Sequence, residues 1–230
     1  MKYKLNNIYN EDCLQAMKQI PDKFFELAIV DPPYGIDFAK QHTGKGWVVR
    51  ETKNWDKEIP NEDYFKELFR VSKNQIIWGG NYFSKHLQSS MGWIFWDKGQ
   101  RDFSLADGEL AWTSFDRALR VFDFSRAKLN KKREGFHPTE KPIALYEWLL
   151  INYAKKGDKI LDTHLGSASS IIACKKLGFE YLGFELDEDY FKSASERIAK
   201  FESQENLFDI LNEKEVEKQE QENLFNVDIR

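Results

Sequence analysis

The chain has 230 residues, a formal net charge of −4 and 15% aromatic residues, seven of them tryptophan. This length suits one α/β domain with insertions and is enough to bury a sizeable core. The stretch MKYKLNNIYN lacks the apolar segment of a signal peptide, and the longest apolar-rich stretch, 143–154, is too short to cross a bilayer. We therefore predict a soluble protein without a membrane anchor.

The charge is distributed unevenly. Residues 200–230 hold four basic and nine acidic residues, so the rest of the chain carries a net charge of +1. Within 116–133, seven basic residues accompany two acidic ones. Such a local surplus can bind phosphate even in a neutral domain, although a charge run is more often a solvated face.

The first half of the chain predicts alternating strands and helices. In chain order we expect a strand at 7–9, a helix at 10–20, a strand at 25–30, an unperiodic polar loop at 35–60 and a helix at 61–71. Asn61 is a plausible N-cap of the last of these. The polar loop is expected to be mobile and to lie over the edge of the sheet.

The second half continues the alternation. Three strand candidates, NQIIWGG, GWIFWD and GELAWTSF, precede the basic segment. After them we expect a helix opened by Pro142, a strand ending near Asp162, a helix ended by Gly178, a strand ending near Glu185 and a final helix. This order argues for a doubly wound parallel sheet.

The predicted organisation is one domain over residues 1–200 and an acidic, flexible tail over 201–230. Target-recognition insertions are expected within 35–60 and 116–136. The cysteines, Cys13 and Cys174, have no metal-ligand or disulfide spacing, so we expect core residues in a reducing cytosol.

The stretch FFELAIVDPPYGI places a carboxylate at a strand end. Pro32 and Pro33 cannot donate to a sheet ladder, so the strand must stop at Asp31. In open α/β sheets, ligands bind at the carboxyl ends of strands. The alternative is a solvated Asp31 in a proline-rich loop.

A second strand end, KILDTHLGSASS, leads through a turn containing Gly166 into a helix. Such a turn lets backbone approach a ligand, and the helix start offers N–H groups to an anion. Glu185 ends the next strand, where a carboxylate usually binds ribose hydroxyls. Ala168 stands where a second glycine is expected, so a dinucleotide fingerprint is absent.

Together, DPPY, HPTEKP and LDTHLGS…GFE resemble the S-adenosylmethionine-dependent DNA amino-methyltransferases. The DPPY element precedes the cofactor element, as in the beta-type arrangement of that family. The resemblance covers residues 6 to about 200. It implies an α/β, Rossmann-like methyltransferase fold with a mixed seven-stranded sheet and helices on both faces.

The resemblance also implies the cofactor contacts. Asp12 and Cys13 would meet the adenine, Glu185 the ribose, and Thr139 and Lys141 the amino-acid end. The methionine part would lie near Asp162 and the turn at Gly166. Asp31, His164 and Ser167 are further expected cofactor contacts.

This chain departs from the family pattern at two places. Thr163-His164 replaces Pro-Phe, and Ala168-Ser169 replaces Gly-Thr. His164 keeps a flat side chain for contact with the cofactor, or is an ordinary partly buried histidine, and we assign it no proton-transfer role. The methyl group of Ala168 is expected to weaken cofactor binding.

The DPPY element suits methylation of an amino group. The lone pair of adenine N6 is delocalised into the ring, so the site must accept hydrogen bonds from its N–H groups. Asp31 and the carbonyl of Pro32 are the expected acceptors, held still by Pro32 and Pro33. Tyr34 offers a ring on which an extruded base can stack. We assign these four residues as catalytic and expect no metal.

Three functions remain open at this point. The leading one is N6-adenine methylation of DNA in a bacterial or phage-infected cell, for restriction protection, viral self-modification or regulation. The second changes the acceptor to cytosine N4 or RNA. The third is a non-enzymatic adaptor that binds DNA or a sliding clamp and has lost its cofactor site.

Double-stranded DNA is the expected partner, with Lys45 and Arg50 on a loop that closes over the flipped base. The phosphate and groove candidates are Lys45, Arg50, Arg117, Arg120, Arg126, Lys128, Lys131, Lys132 and Arg133.

The motif QENLF occurs twice in the tail. It resembles the Gln-x-x-Leu-Phe peptides that dock on the bacterial sliding clamp. The predicted docking residues are Gln204, Leu207, Phe208, Gln221, Leu224 and Phe225. Alternatively, the Leu-Phe pairs pack back on the domain or in a homodimer.

Overall fold

Strands and helices alternate along the chain in the computed structural model, which describes residues 2–36, 58–101, 106–125 and 140–205. In chain order the elements are β1 (Asn7–Tyr9), α1 (Cys13–Met17), β2 (Phe25–Val30), α2 (Glu62–Val71), β3 (Ser72–Trp78), a 3₁₀ turn (Gly80–Tyr82), β4 (Trp93–Asp97), β5 (Gly108–Thr113), β6 (Arg120–Asp123), α3 (Ile143–Tyr153), β7 (Lys159–Asp162), α4 (Ser169–Leu177), β8 (Glu180–Phe184) and α5 (188–205).

The described strands form one mixed sheet in the order β1-β8-β7-β2-β3-β5-β4-β6. The first five strands in this order, β1, β8, β7, β2 and β3, are parallel to one another. The strand β5 runs antiparallel to β3 and β4, and β6 is parallel to β4. The predicted α/β fold is confirmed, but the predicted count of seven strands is wrong. Residues Arg120–Asp123 lie within the segment 116–136 that we assigned to target recognition, and they add an eighth strand by pairing with β4.

The two faces of the sheet are buried by different helices. Leu27 and Ile29 of β2 join a core cluster with residues of α3 and α4. Ala28 and Val30 point the opposite way and join a cluster with residues of α1 and α2. A strand covered on both faces is apolar along its whole length, which is why FELAIV shows little alternation.

Side-chain caps determine where two of the helices begin. Asn61 caps α2 as predicted, because its Oδ1 accepts the backbone N–H of Tyr64 at 3.1 Å. Asp12 caps α1 in the same way, so this helix begins at Cys13 and is shorter than the predicted 10–20.

The helices α4 and α5 follow the neighbouring strands β7 and β8. The helix α4 ends at Gly178, which has the left-handed φ of +70° that glycine adopts without strain. The helix α5 is described through residue 205, five residues into the predicted tail. Within the described ranges, no helix is long and apolar enough to cross a membrane.

Candidate active site

The predicted functional residues at several strand ends line a single cavity of about 830 Å³. Asp31 and Tyr34 follow β2, His164 and Gly166 follow β7, and Glu185 follows β8. The strands β2 and β7 are neighbours with Ala28 opposite Leu161, so the chain leaves both at the same edge. The DPPY element and the cofactor element of the sequence therefore open into the same space.

Both carboxylate oxygens of Asp31 accept hydrogen bonds. Tyr34 Oη donates to Oδ1 at 2.6 Å, and Lys141 Nζ donates to Oδ2. Lys141 Nζ also lies 3.2 Å from Tyr34 Oη. The resemblance assigned Lys141 to the amino-acid end of the cofactor, whereas here its side chain, only 3% exposed, contacts the DPPY element.

Glu109 completes this cluster, although the sequence did not predict it. Its Oε2 lies 3.0 Å from Lys141 Nζ, and its Oε1 accepts a hydrogen bond from Lys98 Nζ at 2.5 Å. The available signal was an acid within the apolar strand GELAWT.

Electrostatics keep this cluster charged. Burial alone raises the pKa of Glu109, but the ammonium groups of Lys141 and Lys98 outweigh it and hold this pKa below its usual value. Burial alone lowers the pKa of Lys141, but Asp31 and Glu109 outweigh it and raise this pKa above its usual value. Lys141 is therefore a cation between two carboxylates.

Tyr34 keeps its proton and lies in a ring stack. Burial, with the charges of Asp31 and Glu109, raises its pKa well above the usual value, so the phenol acts as a donor. Its ring stacks on Tyr82, with centroids 5.0 Å apart and planes inclined by 13°. Gly79 has a φ of +69°, and a Cβ there would lie 2.2 Å from Tyr34 Cε1, so only glycine fits beneath the ring.

Glu185 organises the turn at the cofactor end. Its Oε2 accepts the backbone N–H of Gly166 at 2.9 Å, and its Oε1 accepts that of Asp187 at 3.0 Å. Burial raises the pKa of this carboxyl group. Gly166 itself has a φ of +50°, which suits glycine.

Asp12 and Cys13 also line the cavity. Asp12 Oδ1 accepts the N–H of Leu14 at 2.8 Å, so this carboxylate fixes the start of α1. Burial raises the pKa of Cys13 to about 12, which keeps its thiol protonated. Cys13 is therefore a neutral surface rather than a nucleophile.

Asp162 lies behind the cavity rather than on its wall. Its side chain accepts the hydroxyl of Ser170 and, at 3.0 Å, the N–H of His164. Only 3% of Asp162 is exposed, and burial raises its pKa to about 7. Its contacts shape the turn between β7 and α4.

His164 presents a neutral imidazole to the cavity. Burial lowers its pKa to about 4. Its Nδ1 lies 2.9 Å from Thr163 Oγ1, which is 2.7 Å from Tyr64 Oη. The ring is therefore held by hydrogen bonds and is suited to packing against a flat ligand.

The turn at Ala168 is tied to the last helix. Ala168 has a φ of +59°, but its methyl group is fully buried in the core and does not line the cavity. Arg197 of α5 donates to the carbonyl of Ser167 at 2.7 Å and forms an ion pair with Glu140, also at 2.7 Å. Arg197 and Glu140 were not predicted, because nothing in their spacing links α5 to this turn.

Two of the proposed DNA contacts are described. Arg117 Nη1 donates to the carbonyl of Asn152 at 2.8 Å, and its guanidinium lies 4.8 Å from the centre of the Tyr153 ring. Arg120 is exposed at the start of β6. Gln204 lies in α5. The remaining predicted residues lie outside the described ranges: Lys45, Arg50, Arg126, Lys128, Lys131, Lys132, Arg133, Thr139, Leu207, Phe208, Gln221, Leu224 and Phe225.

These features fit a nucleoside-type cofactor. The cavity has the volume of a typical small-molecule site, and it combines the Glu185 carboxylate with the flat imidazole of His164 and the open turn at Gly166. No group of three or more His, Cys, Asp or Glu residues in the described part of the chain could hold a metal ion. The described fold and this cavity are what the resemblance to Rossmann-like methyltransferases predicts.

Comparison with known proteins supports the same class. The DNA methylase family model for N6 and N4 methyltransferases matches residues 113–196. The type II methyltransferase M.HpaI of Haemophilus parainfluenzae is 26% identical over 233 residues, which cover 81% of this chain and 72% of that protein. These matches confirm the resemblance to S-adenosylmethionine-dependent DNA amino-methyltransferases.

Two solved structures share the fold. The M1.HpyAVI–SAM complex matches with a TM-score of 0.54 and 21% identity, covering 83% of this chain and 98% of that one. PvuII DNA methyltransferase, which is cytosine-N4-specific, matches with a TM-score of 0.57 and 13% identity. The match covers 83% of this chain and 85% of that one. The predicted cofactor, S-adenosylmethionine, is the ligand of the first of these structures.

Proposed function

We propose that this protein is a DNA amino-methyltransferase, which transfers a methyl group from S-adenosylmethionine to the N6 amino group of adenine in double-stranded DNA. One observation carries the proposal. The Asp31–Tyr34 hydrogen-bonded pair and the Gly166–Glu185 turn line the same cavity at neighbouring strand ends. The proposed amino-group acceptor site and the proposed nucleoside site would therefore share one cavity.

The residues after β2 would bind the amino group of the target base. Asp31 is held by Tyr34 and Lys141, so its carboxylate has little freedom to rotate. Such a fixed acceptor draws an N–H hydrogen without reorganisation during the reaction. The carbonyl of Pro32 is the proposed second acceptor, on a backbone that Pro33 restrains.

The residues after β7 and β8 would hold the cofactor. Glu185 offers carboxylate oxygens to ribose hydroxyls, and Asp12 and Cys13 border the end assigned to adenine. When bound, S-adenosylmethionine supplies an electrophilic methyl group on a sulfonium. The chain's own contribution is to position the amino group and exclude water.

The choice of adenine rests on the resemblance. Aspartate at the first position of DPPY favours adenine in this family. Cytosine N4 poses the same chemical problem, and the structural neighbour from the PvuII system acts on cytosine. An RNA adenine is the other acceptor kept open.

Nucleoside analysis decides between these acceptors. The full-length chain is expressed in a host that lacks both DNA modifications, and digested DNA and RNA are examined by mass spectrometry. We expect N6-methyladenine in DNA, and none with Asp31→Ala. N4-methylcytosine, or methylation confined to RNA, contradicts the adenine assignment. Absence of any methylated base, together with absent cofactor binding, favours the adaptor function.

Two partner interactions stay predictions. Docking on a sliding clamp depends on the two QENLF segments, most of which lie outside the described residues. Clamp binding that is equal for tail peptides with and without Leu207→Ala/Phe208→Ala would contradict it. Homodimer formation is likewise a prediction, which sedimentation of the purified chain would test.

A further inference from the structure

Four charges of alternating sign lead to the catalytic carboxylate. Lys98 Nζ lies 2.5 Å from Glu109 Oε1, and Lys141 Nζ lies 3.0 Å from Glu109 Oε2 while also donating to Asp31. The side chains of Lys98, Glu109 and Asp31 are 15%, 21% and 20% exposed, and that of Lys141 is 3% exposed. The four groups therefore interact with little screening by water.

Glu109 is not needed to neutralise Lys141. A buried ammonium requires one compensating charge, and Asp31 already supplies it. Glu109 brings a second carboxylate to the same ammonium, and Lys98 balances that second charge. A purely neutralising arrangement would contain only Lys141 and Asp31, so the outer pair requires another explanation.

Glu109 lies within reach of both groups that now hold Asp31. Its Oε2 is 3.0 Å from Lys141 Nζ and 3.5 Å from Tyr34 Oη, the latter at the long limit of a hydrogen bond. Both donors thus have an alternative acceptor on one carboxylate oxygen. This matters because Asp31 must give an oxygen to the amino group of the base, and a buried donor that loses its acceptor costs free energy.

We infer that Glu109 is a positioning residue, which retains Lys141 and Tyr34 when the target amino group takes over an oxygen of Asp31. This inference rests on the proposed function, since it assumes that Asp31 accepts a hydrogen bond from a base. Glu109 touches neither base nor cofactor in this role. It acts through Lys141 and Tyr34 once the flipped base reaches Asp31, after DNA and cofactor have bound, so its loss should lower kcat rather than weaken either binding step.

The test substitutes Glu109 in the full-length chain and measures methylation of unmethylated phage DNA. Glu109→Gln keeps the size of the side chain but removes its charge. We expect kcat to fall about 10- to 100-fold, while the KM for DNA and the cofactor Kd stay within about twofold. Glu109→Asp, which restores the charge, should recover part of the lost kcat.

Glu26 provides a matched control outside the cavity. Its side chain is 23% exposed and forms ion pairs with two lysines, Lys73 at 3.0 Å and Lys159 at 3.8 Å. Glu26→Gln thus removes the same charge from a carboxylate of similar exposure that is also paired with two lysines. A lower kcat in Glu109→Gln, with Glu26→Gln close to wild type, supports the inference.

Three outcomes separate the alternatives. Equal kcat in Glu109→Gln and Glu26→Gln overturns the inference. A loss of kcat also overturns the inference if cofactor binding and thermal stability fall with it and Glu109→Asp does not restore kcat. That pattern indicates a structural role. A wild-type chain that binds cofactor but methylates no DNA instead overturns the proposed function. If Glu109→Gln fails to fold, the double variant Glu109→Gln/Lys98→Gln, which removes both charges of the outer pair, takes its place, and wild-type kcat in that variant overturns the inference.

Discussion

The ring of Tyr82 stacks on the ring of Tyr34, and it does so from a turn that is remote in sequence from the DPPY element. Tyr82 is 43% exposed and lines the cavity. This contact defines the plane of the Tyr34 ring, on which the target base is proposed to stack. The quality of that stacking surface therefore depends on Tyr82.

Replacing Tyr82 tests this dependence. We expect Tyr82→Ala to lower kcat/KM for DNA about 2- to 10-fold, the equivalent of one aromatic pair worth about 0.5–1.5 kcal/mol. Tyr82→Phe keeps the ring and should remain close to wild type. Steady-state methylation of DNA measures both variants. A wild-type rate in Tyr82→Ala would show that the stack does not contribute.

Removing the carboxylate of Asp31 separates catalysis from cofactor binding. We expect Asp31→Ala to reduce methylation by about 100-fold or more, because the amino group loses its charged acceptor. Lys141 keeps Glu109 as a partner in this variant, so the fold should survive. Calorimetry should show the cofactor Kd within about twofold of wild type. Retained methylation would refute the catalytic role of Asp31.

Arg197 is expected to support cofactor binding from a distance. Arg197→Ala removes the bonds to the carbonyl of Ser167 and to Glu140, which frees the turn at the cofactor end. We expect the cofactor Kd to rise about tenfold, the equivalent of about one charge-assisted hydrogen bond. Calorimetric titration with the cofactor measures it.

Arg70 is the matched control for that experiment. Its side chain is 29% exposed, compared with 24% for that of Arg197. Like Arg197, it bonds to both backbone carbonyls and carboxylates, for example to the carbonyl of Ile20 and the carboxylate of Asp22. Arg70→Ala should lower stability but leave cofactor binding unchanged. Equal effects of the two substitutions on cofactor Kd would contradict a specific role for Arg197.

The methyl group of Ala168 should matter little for cofactor affinity. Ala168→Gly relieves a left-handed conformation that costs about 1–2 kcal/mol. It also loses a buried methyl worth about 0.8 kcal/mol and adds about 0.4–1 kcal/mol of chain entropy in the unfolded state. These terms nearly cancel, so we expect the free energy of unfolding to change by less than about 1 kcal/mol. Urea unfolding measures the free energy of unfolding, and calorimetry measures the cofactor Kd. A cofactor Kd several-fold lower in Ala168→Gly would support the expectation that the Ala168 methyl group weakens cofactor binding.

Asp162 and His164 have opposite effects on stability as pH changes. The pKa of Asp162 rises from 3.8 to about 7 on folding, so between these values the folded state holds the extra proton and stability falls as pH rises. The pKa of His164 falls from 6.5 to about 4, so between these values the unfolded state holds the extra proton and stability falls as pH drops. Between about pH 4 and 6.5 the two slopes offset each other.

Asp162→Asn should expose the histidine contribution. Asparagine can still accept the N–H of His164, and the hydroxyl of Ser170 can turn to accept from the amide. Relative to wild type, the stability of this variant should rise with pH between about pH 4 and 6.5, with an added slope of up to about 1.4 kcal/mol per pH unit. Urea unfolding at several pH values measures this slope. An unchanged slope would show that Asp162 is ionised throughout this range in the folded protein.

The sequence by itself determined the main elements and predicted several residues that line the cavity. Hydrophobic runs marked the strands, Asn61 marked the start of α2, and Pro32 and Pro33 ended β2 at Asp31, because these are local constraints on the backbone. Through the family resemblance that they carry, DPPY and the Gly166 turn also predicted two groups of residues, and the structure shows that both groups line one cavity. The edge strand β6 was missed, since its residues pair with β4 without a strong apolar pattern of their own.

Only the tertiary structure decided which side chains meet in the cavity. The partners of Asp31 come from positions 109 and 141, and the ring on Tyr34 comes from position 82, all from elements joined only by the folded sheet. The same sequence is equally compatible with Lys141 facing the amino-acid end of the cofactor, as the resemblance implied. Such contacts depend on how strands are ordered and how side chains lie in space, and no periodicity along the chain encodes that order directly.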